Sequence, residues 1–398
     1  MPDLRQVRQQ AGPGRVSRPS ESRPSESRPS VSRVGIFDDG GRATGPRIAL
    51  DLLGGDRPPE AVVEGALMAV RRRPDLRVAL VGPPESAAGL LGECGQAADS
   101  SWDPGSLVVV PARDSVSITE EPTRAVRARR DASVRVAARL VRDGQVDAMV
   151  SIGPTGATLA AAVFSLPRLP GVTRPALALV VPAPAGPVVL LDVGANVDCG
   201  PGLLAEFALA GAAYARVRLR VPSPRVGLLS VGAAPGGGDE LRRRTAELLA
   251  ELPLDYVGSV EGHDVAVGGR ADVVVTDGFT GNVLVKGMEG AVAAVARAAA
   301  AGLDSGDERA VSARYLLPVL AQVAETFSPE EQGGAMLLGA DGVVVIGHCS
   351  SSPRAVAACV ETAAEAVREG LVPGVRAALG DLVARRRAAA GLGEGTPR

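Results

Sequence analysis

Aromatic residues make up only 2% of this sequence, histidine occurs twice, and lysine once among 43 basic residues. With so few rings, a core has to be filled by Ala, Val and Leu, which suits helices packed closely on a parallel sheet. The four cysteines, Cys94, Cys199, Cys349 and Cys359, are widely and irregularly spaced with no C-x-x-C pair, which argues against a zinc site or a disulfide framework. No stretch of about 18 apolar residues occurs, so no transmembrane helix is expected. The N-terminus lacks the apolar segment of a secretory signal, and cytoplasmic residence is the expectation. A formal net charge of −2, without a clustered basic excess, excludes a nucleic-acid footprint. Against an arginine-rich background, Lys286 stands out, because a compact ammonium and a broad planar guanidinium behave differently in a tight site.

What is present is 398 residues with 46% hydrophobic content, enough for one large α/β domain or two smaller ones. The first 45 residues differ from the rest. Ser17–Ser30 repeats Ser-Arg-Pro-Ser-Glu with no apolar periodicity, the composition of a disordered tail, and residues 46–390 are expected to form the domain. Apolar runs at Arg47–Leu53, Arg77–Gly82, Leu107–Val110, Asp147–Ile152, Val188–Leu191, Arg225–Val231, Asp272–Thr276 and Val343–Gly347 read as buried strands. Helical patterns at Ala132–Asp143, Thr155–Leu166, Leu203–Arg218, Glu240–Glu251 and Gly281–Ala301 separate most of them. This alternation predicts an α/β fold with a doubly wound, mostly parallel sheet. Ala176–Val181 and Val188–Leu191, joined across Pro182–Gly186, predict a small antiparallel hairpin inserted in it. Ser312–Phe327 looks helical, either packing on a partner subunit or presenting an amphipathic face to a membrane.

In such sheets ligands bind beyond the carboxyl ends of the strands, and five strand ends carry informative residues. Asp51, Gly54, Gly55 and Asp56 form a turn that permits close backbone approach, although Asp51 could equally fix the turn or cap a helix. They do not form the G-x-G-x-x-G pattern of a dinucleotide site. Gly153, Thr155 and Gly156 span a strand-to-helix turn whose free amides suit an anion, with Thr155 either capping the helix or touching a phosphate. Asp192 and Asn196 follow another strand and either orient a substrate or brace the loop. Asp277, Thr280, Asn282 and Lys286 place a helix N-terminus, a hydroxyl, an amide and the lone lysine within ten residues. The four-residue spacing of Asn282 and Lys286 puts them on one helix face. His348 and Ser350 follow the last strand, where His348 is either structural or catalytic. The constellation has neither metal-ligand spacing nor a nucleophile elbow.

Longer stretches carry a resemblance. ALDLLGGDRPPEAVVEG, VSIGPTGATLA, LDVGANVDCGPGLLAEFALAGAAYA, VEGHDVAVGGRADVVVTDGFTGNVLVKGMEG and QGGAMLLGADGVVVIGHCSS occur in order between Arg47 and Leu371. Together they resemble the PlsX family of acyl-(acyl-carrier-protein):phosphate acyltransferases. The resemblance implies a three-layer fold like that of isocitrate and isopropylmalate dehydrogenases. It also implies a homodimer peripheral to the membrane, acyl-carrier protein as donor and inorganic phosphate as acceptor. No metal or cofactor is implied, and the product would pass to a membrane glycerol-3-phosphate acyltransferase. Phosphate would be the nucleophile, with Lys286, His348, Asn196 and Asp277 as the catalytic set. The sequence departs from the family pattern at Leu52, Leu53, Arg57, Pro154 and Cys349, and at Ala233–Gly238, where Glu and Lys-Gly are usual. Those departures leave open a non-catalytic paralogue that binds acyl-carrier protein, or a coenzyme A-dependent enzyme. A nicotinamide dehydrogenase would need a metal-binding D-x-x-x-D arrangement beside a cofactor loop, and no convincing one occurs.

Overall fold

The structure is a computed structural model. It describes residues 45–55, 59–97, 103–234, 237–303 and 333–389, with Ile36, Phe37, Tyr315 and Pro318. The Ser-Arg-Pro repeat, Asp56, Arg57 and almost all of Ser312–Phe327 lie outside the described residues.

The chain alternates strand and helix from β1 (Arg47–Asp51), α1 (Pro59–Arg72), β2 (Arg77–Gly82) and α2 (Pro84–Ala97) to β3 (Leu107–Pro111). It continues through α3 (Pro122–Ala128), α4 (Ser133–Arg142), β4 (Ala148–Ser151) and α5 (Thr155–Ser165). The next elements are β5 (Ala176–Val181), β6 (Val188–Leu191), α6 (Pro201–Arg218), β7 (Arg225–Leu229), α7 (Glu240–Ala250) and β8 (Asp255–Val260). Then come α8 (Gly262–Val267), β9 (Val273–Val275) and the long α9 (Gly278–Leu303). The described elements end with β10 (Ala335–Leu338), β11 (Val343–Ile346), α10 (Pro353–Arg368) and α11 (Leu371–Ala389). Helix α1 shows the local logic. Pro59 opens it, Glu60 and Arg71–Arg72 complement its dipole, and Val62, Val63, Ala66, Leu67 and Val70 bury one face.

All eleven described strands form one sheet in the order β3-β2-β1-β4-β11-β10-β5-β6-β9-β7-β8. Strands β3, β2, β1, β4 and β11 are mutually parallel, as are β6, β9, β7 and β8. Antiparallel β10 and β5 join these halves. The expected hairpin is present, with Ala178 opposite Leu191, but it is woven into the centre of the sheet. Two strands, β8 and β10, carry no clean sequence signal. Gly258 interrupts β8, and β10 is four residues flanked by glycines that also occur in loops.

Alternate side chains of each strand face opposite layers. Ile48, Leu50, Val150, Val189 and Val345 join α1, α6, α10 and α11 in one core. Ala49, Met149, Leu177, Leu190 and Val344 join α3, α4 and α5 in the other. Helix α6 is buried along nearly its whole circumference between the sheet, α7 and α11. That explains its apolar composition on every face.

Helix α9 begins at Gly278, three residues before the sequence pattern predicted, because its first turn is packed against the β6 loop. A Cβ on Gly281 would lie 2.0 Å from the Asp192 carbonyl oxygen, and one on Gly278 2.7 Å from that of Asn196. Gly281→Ala should therefore lower stability by about 2 kcal/mol, read as a fall in the thermal unfolding midpoint. An unchanged midpoint would show that the helix can move away from the loop.

Candidate active site

Two cavities flank the first turns of α9. The smaller, about 270 Å³, lies over Leu177, Leu179 and Ile346 in the middle of the sheet. Its rim takes Thr155 and Gly156 from the start of α5, Gly194 from the β6 loop, Asn282 and Lys286 from α9, and His348 from beyond β11. The larger, about 580 Å³, lies on the other side of α9, beyond the end of β7.

In the smaller cavity, the i, i+4 spacing places Asn282 and Lys286 on one helix face, as the sequence predicted. Asn282 Nδ2 donates to the Val193 carbonyl oxygen at 3.1 Å, which ties α9 to the β6 loop. Lys286 Nζ pairs with Glu289 Oε2 at 2.7 Å, and the lysine side chain is half exposed. An exposed pair of this kind is worth little, so a dianion can compete for the ammonium. Ser350 supports His348, whose Nδ1 lies 2.8 Å from Ser350 Oγ and accepts the Ser350 backbone N–H at 3.3 Å. With Nδ1 accepting from the backbone, Nε2 is the ring nitrogen left to donate.

Helix α5 opens differently from expectation. Its N-cap is Pro154, which has no side chain to bond the first amides, and Thr155 is already inside the helix. Thr155 is therefore not the cap, and the uncapped amide end of α5 faces the cavity together with its hydroxyl.

Several sequence candidates lie behind the cavity wall rather than on it. Asp51 is fully buried and accepts Ser151 Oγ at 2.7 Å and the Leu53 N–H at 3.2 Å. Burial pushes its pKa up, against hydrogen bonds from Ser133, Ser151 and Leu53 that hold it down. Gly54 and Gly153 pack backbone to backbone, and a Cβ on Gly54 would meet the Gly153 nitrogen at 2.8 Å. Gly55 abuts Ile152 and the Cys349 carbonyl oxygen. These residues shape the turn and do not reach the cavity.

Asp192 is likewise buried, with Oδ1 accepting the N–H groups of Leu177, Gly194 and Ala195 at 3.2, 3.0 and 2.9 Å. Its Oδ2 accepts Asn196 Nδ2 at 2.8 Å, and the same amide donates to the Pro175 carbonyl oxygen. Burial raises the Asp192 pKa, and these four donors oppose the rise. Asn196 thus has both amide hydrogens committed, so it braces the loop rather than facing substrate.

Thr280 and Asp277 are the other correction. They belong to the side of α9 with the larger cavity, because Thr280 is 200° around the helix from Asn282 at 100° per residue. Asp277 Oδ1 accepts the Thr280 backbone N–H at 2.8 Å, and Arg242 Nη2 reaches Oδ2 at 2.5 Å. Burial alone would raise the Asp277 pKa, but the Thr280 and Arg242 bonds outweigh it and hold the carboxylate below its ordinary range. Arg242, only 12% exposed, also pairs with Asp239. Sequence reasoning missed it, since one arginine among so many carries no signal.

A family described as fatty acid synthesis protein matches residues 46–373. The chain is 44% identical over 336 residues to a phosphate acyltransferase of Desulforudis audaxviator, covering 84% of this chain and 97% of that one. It is 44% identical over 323 residues to a phosphate acyltransferase of Thermobifida fusca, covering 80% and 87%. A phosphotransacetylase from Streptococcus pyogenes shares the fold, with a TM-score of 0.53 at 18% identity, covering 84% of this chain and 94% of that one. The chain is therefore an acyltransferase. It belongs to the fatty acid synthesis protein family, the PlsX family its motifs resemble.

Removing Arg242 would leave a buried carboxylate without its cation. Arg242→Met should cost about 3 kcal/mol in urea unfolding at neutral pH. Because the folded-state pKa of Asp277 is depressed, the stabilisation is present above the unfolded value near 3.9 and is lost as pH falls through the folded one. The gap between variant and wild type should accordingly shrink in acid, and a constant gap would refute the pairing.

Proposed function

We propose that the smaller cavity binds inorganic phosphate beside the thioester of a fatty acyl-acyl-carrier protein and releases acyl-phosphate. The observation that carries this reading is the meeting of Lys286, Asn282, the uncapped start of α5 and His348 around one small cavity. A lysine, an amide and open helix amides are the donor set that a phosphate dianion requires. The acyl-phosphate would supply phosphatidic acid synthesis through a membrane glycerol-3-phosphate acyltransferase. The protein would act as a homodimer with an isocitrate dehydrogenase-like fold, in the cytoplasm and peripheral to the membrane. Among the described residues no helix is long and apolar enough to cross a membrane.

In this reading Lys286 and the Thr155–Gly156 amides hold the phosphate, with Asn282 completing the rim. A phosphate oxygen attacks the thioester carbon, forming the C–O bond while the carbonyl oxygen takes up negative charge. His348 Nε2–H donates to that oxyanion. Collapse breaks the C–S bond, and the thiolate leaves with the electron pair and takes a proton from solvent. A thiol of pKa about 8.5 needs no dedicated acid. Positioning two reactants in place of a chance encounter supplies much of the acceleration.

The test mixes the protein, palmitoyl-acyl-carrier protein and phosphate, traps acyl-phosphate with hydroxylamine and follows thiol release. Lys286→Ala should raise the phosphate KM about tenfold or more, and Lys286→Arg should recover only part of it because the guanidinium is the wrong shape. His348→Ala should lower kcat about 100-fold. Thiol release without trapped acyl-phosphate, or a phosphate KM indifferent to Lys286, would reject the assignment. Turnover with palmitoyl-coenzyme A alone would replace the carrier protein as donor.

A further inference from the structure

We infer that the larger cavity beyond β7 receives the aliphatic chain of the acyl donor, which reaches it by crossing α9. The inference rests on the proposed acyl transfer and adds where the chain lies.

The wall is largely apolar, with Leu229, Val231, Val283 and Leu284 set among Ser230, Thr280 and the Asp239–Arg242 pair. Its one deeply set cation, Arg242, does not make it an anion site. The guanidinium is neutralised by Asp239 and Asp277, and its remaining reach is spent on the Leu229 carbonyl oxygen and the hydroxyls of Thr276 and Thr280. A volume near 580 Å³ is in the range of ligand cavities and suits an apolar guest.

The route between the cavities is also apolar. Helical periodicity puts Thr280, Val283 and Leu284 on one side of α9 and Asn282, Val285 and Lys286 on the other. Phe279 and Val283 form the ridge between them and are 63% and 57% exposed. A thioester carbon beside Lys286 is about one helix diameter, roughly 10 Å, from the far cavity. A long chain spans that ridge and buries its end; a short one stops on it.

Val283→Glu sets a charge on this path at an exposed helical position where folding tolerates it. It should lower the ratio of kcat/KM for palmitoyl- over butyryl-acyl-carrier protein about tenfold. It should weaken binding of the fluorescent fatty acid cis-parinarate by a similar factor. Val295→Glu, about three turns further along α9 and outside the cavity, should change neither. Equal losses for both donors, parinarate held equally by Val283→Glu and wild type, or the same effects from Val295→Glu would each overturn the inference. If neither donor turns over but parinarate binding still depends on Val283, the transfer reading fails and the cavity assignment stands.

Discussion

The buried carboxylate of Asp192 is the constraint from which the site is built. A carboxylate out of water persists only when its oxygens are hydrogen-bonded. Here three backbone N–H groups and the Asn196 amide meet that demand. Satisfying it folds the loop after β6 into one shape, and Val193, Gly194 and Asn196 then offer carbonyl oxygens and open backbone to α9. Asn282 bonds Val193, Gly278 N–H bonds the Asn196 carbonyl oxygen, and Gly281 lies directly on Asp192. The position of Lys286 is thus set by a carboxylate that never touches solvent.

Much of the scaffold was legible because the strands are short apolar runs ending in glycine-rich turns, and the helices between them have one clear period. What resisted reading was tertiary. Strand β8 has polar and half-buried positions because it sits at the sheet edge, so its alternation is blurred. Strand β10 is defined by its partners β5 and β11 rather than by its own four residues. The start of α9 moved to Gly278 because a loop distant in sequence packs on it.

The site shows the same division. Asn282 and Lys286 could be paired from spacing alone, since a helix fixes their relation. Asp51, Asp192 and Asn196 have the residue types and strand-end positions of catalytic groups. Only their burial and their hydrogen bonds reveal them as supports. Thr280 stands two residues from Asn282, yet a helix turns 100° per residue, and proximity in sequence sent it to the opposite cavity. Asp277 followed it, captured by an arginine from α7.

Pro154 gives this arrangement its particular chemistry. An N-cap side chain such as Asn would accept an amide hydrogen at the start of α5 and lower the cost of that helix end. Proline cannot do so, and it fixes the backbone at that point without adding a donor or an acceptor. The first amides of α5 are left for water or for an anion, and the positive end of the helix dipole points the same way. Loss of a polar side chain at this turn therefore does not by itself remove anion affinity. It transfers the work from a side chain to the backbone, where the geometry is more rigid. Among the described residues, Lys286 and His348 are the basic side chains at the rim. In the proposed reading, phosphate would depend on Lys286 more heavily than in a site with a further polar side chain at this turn.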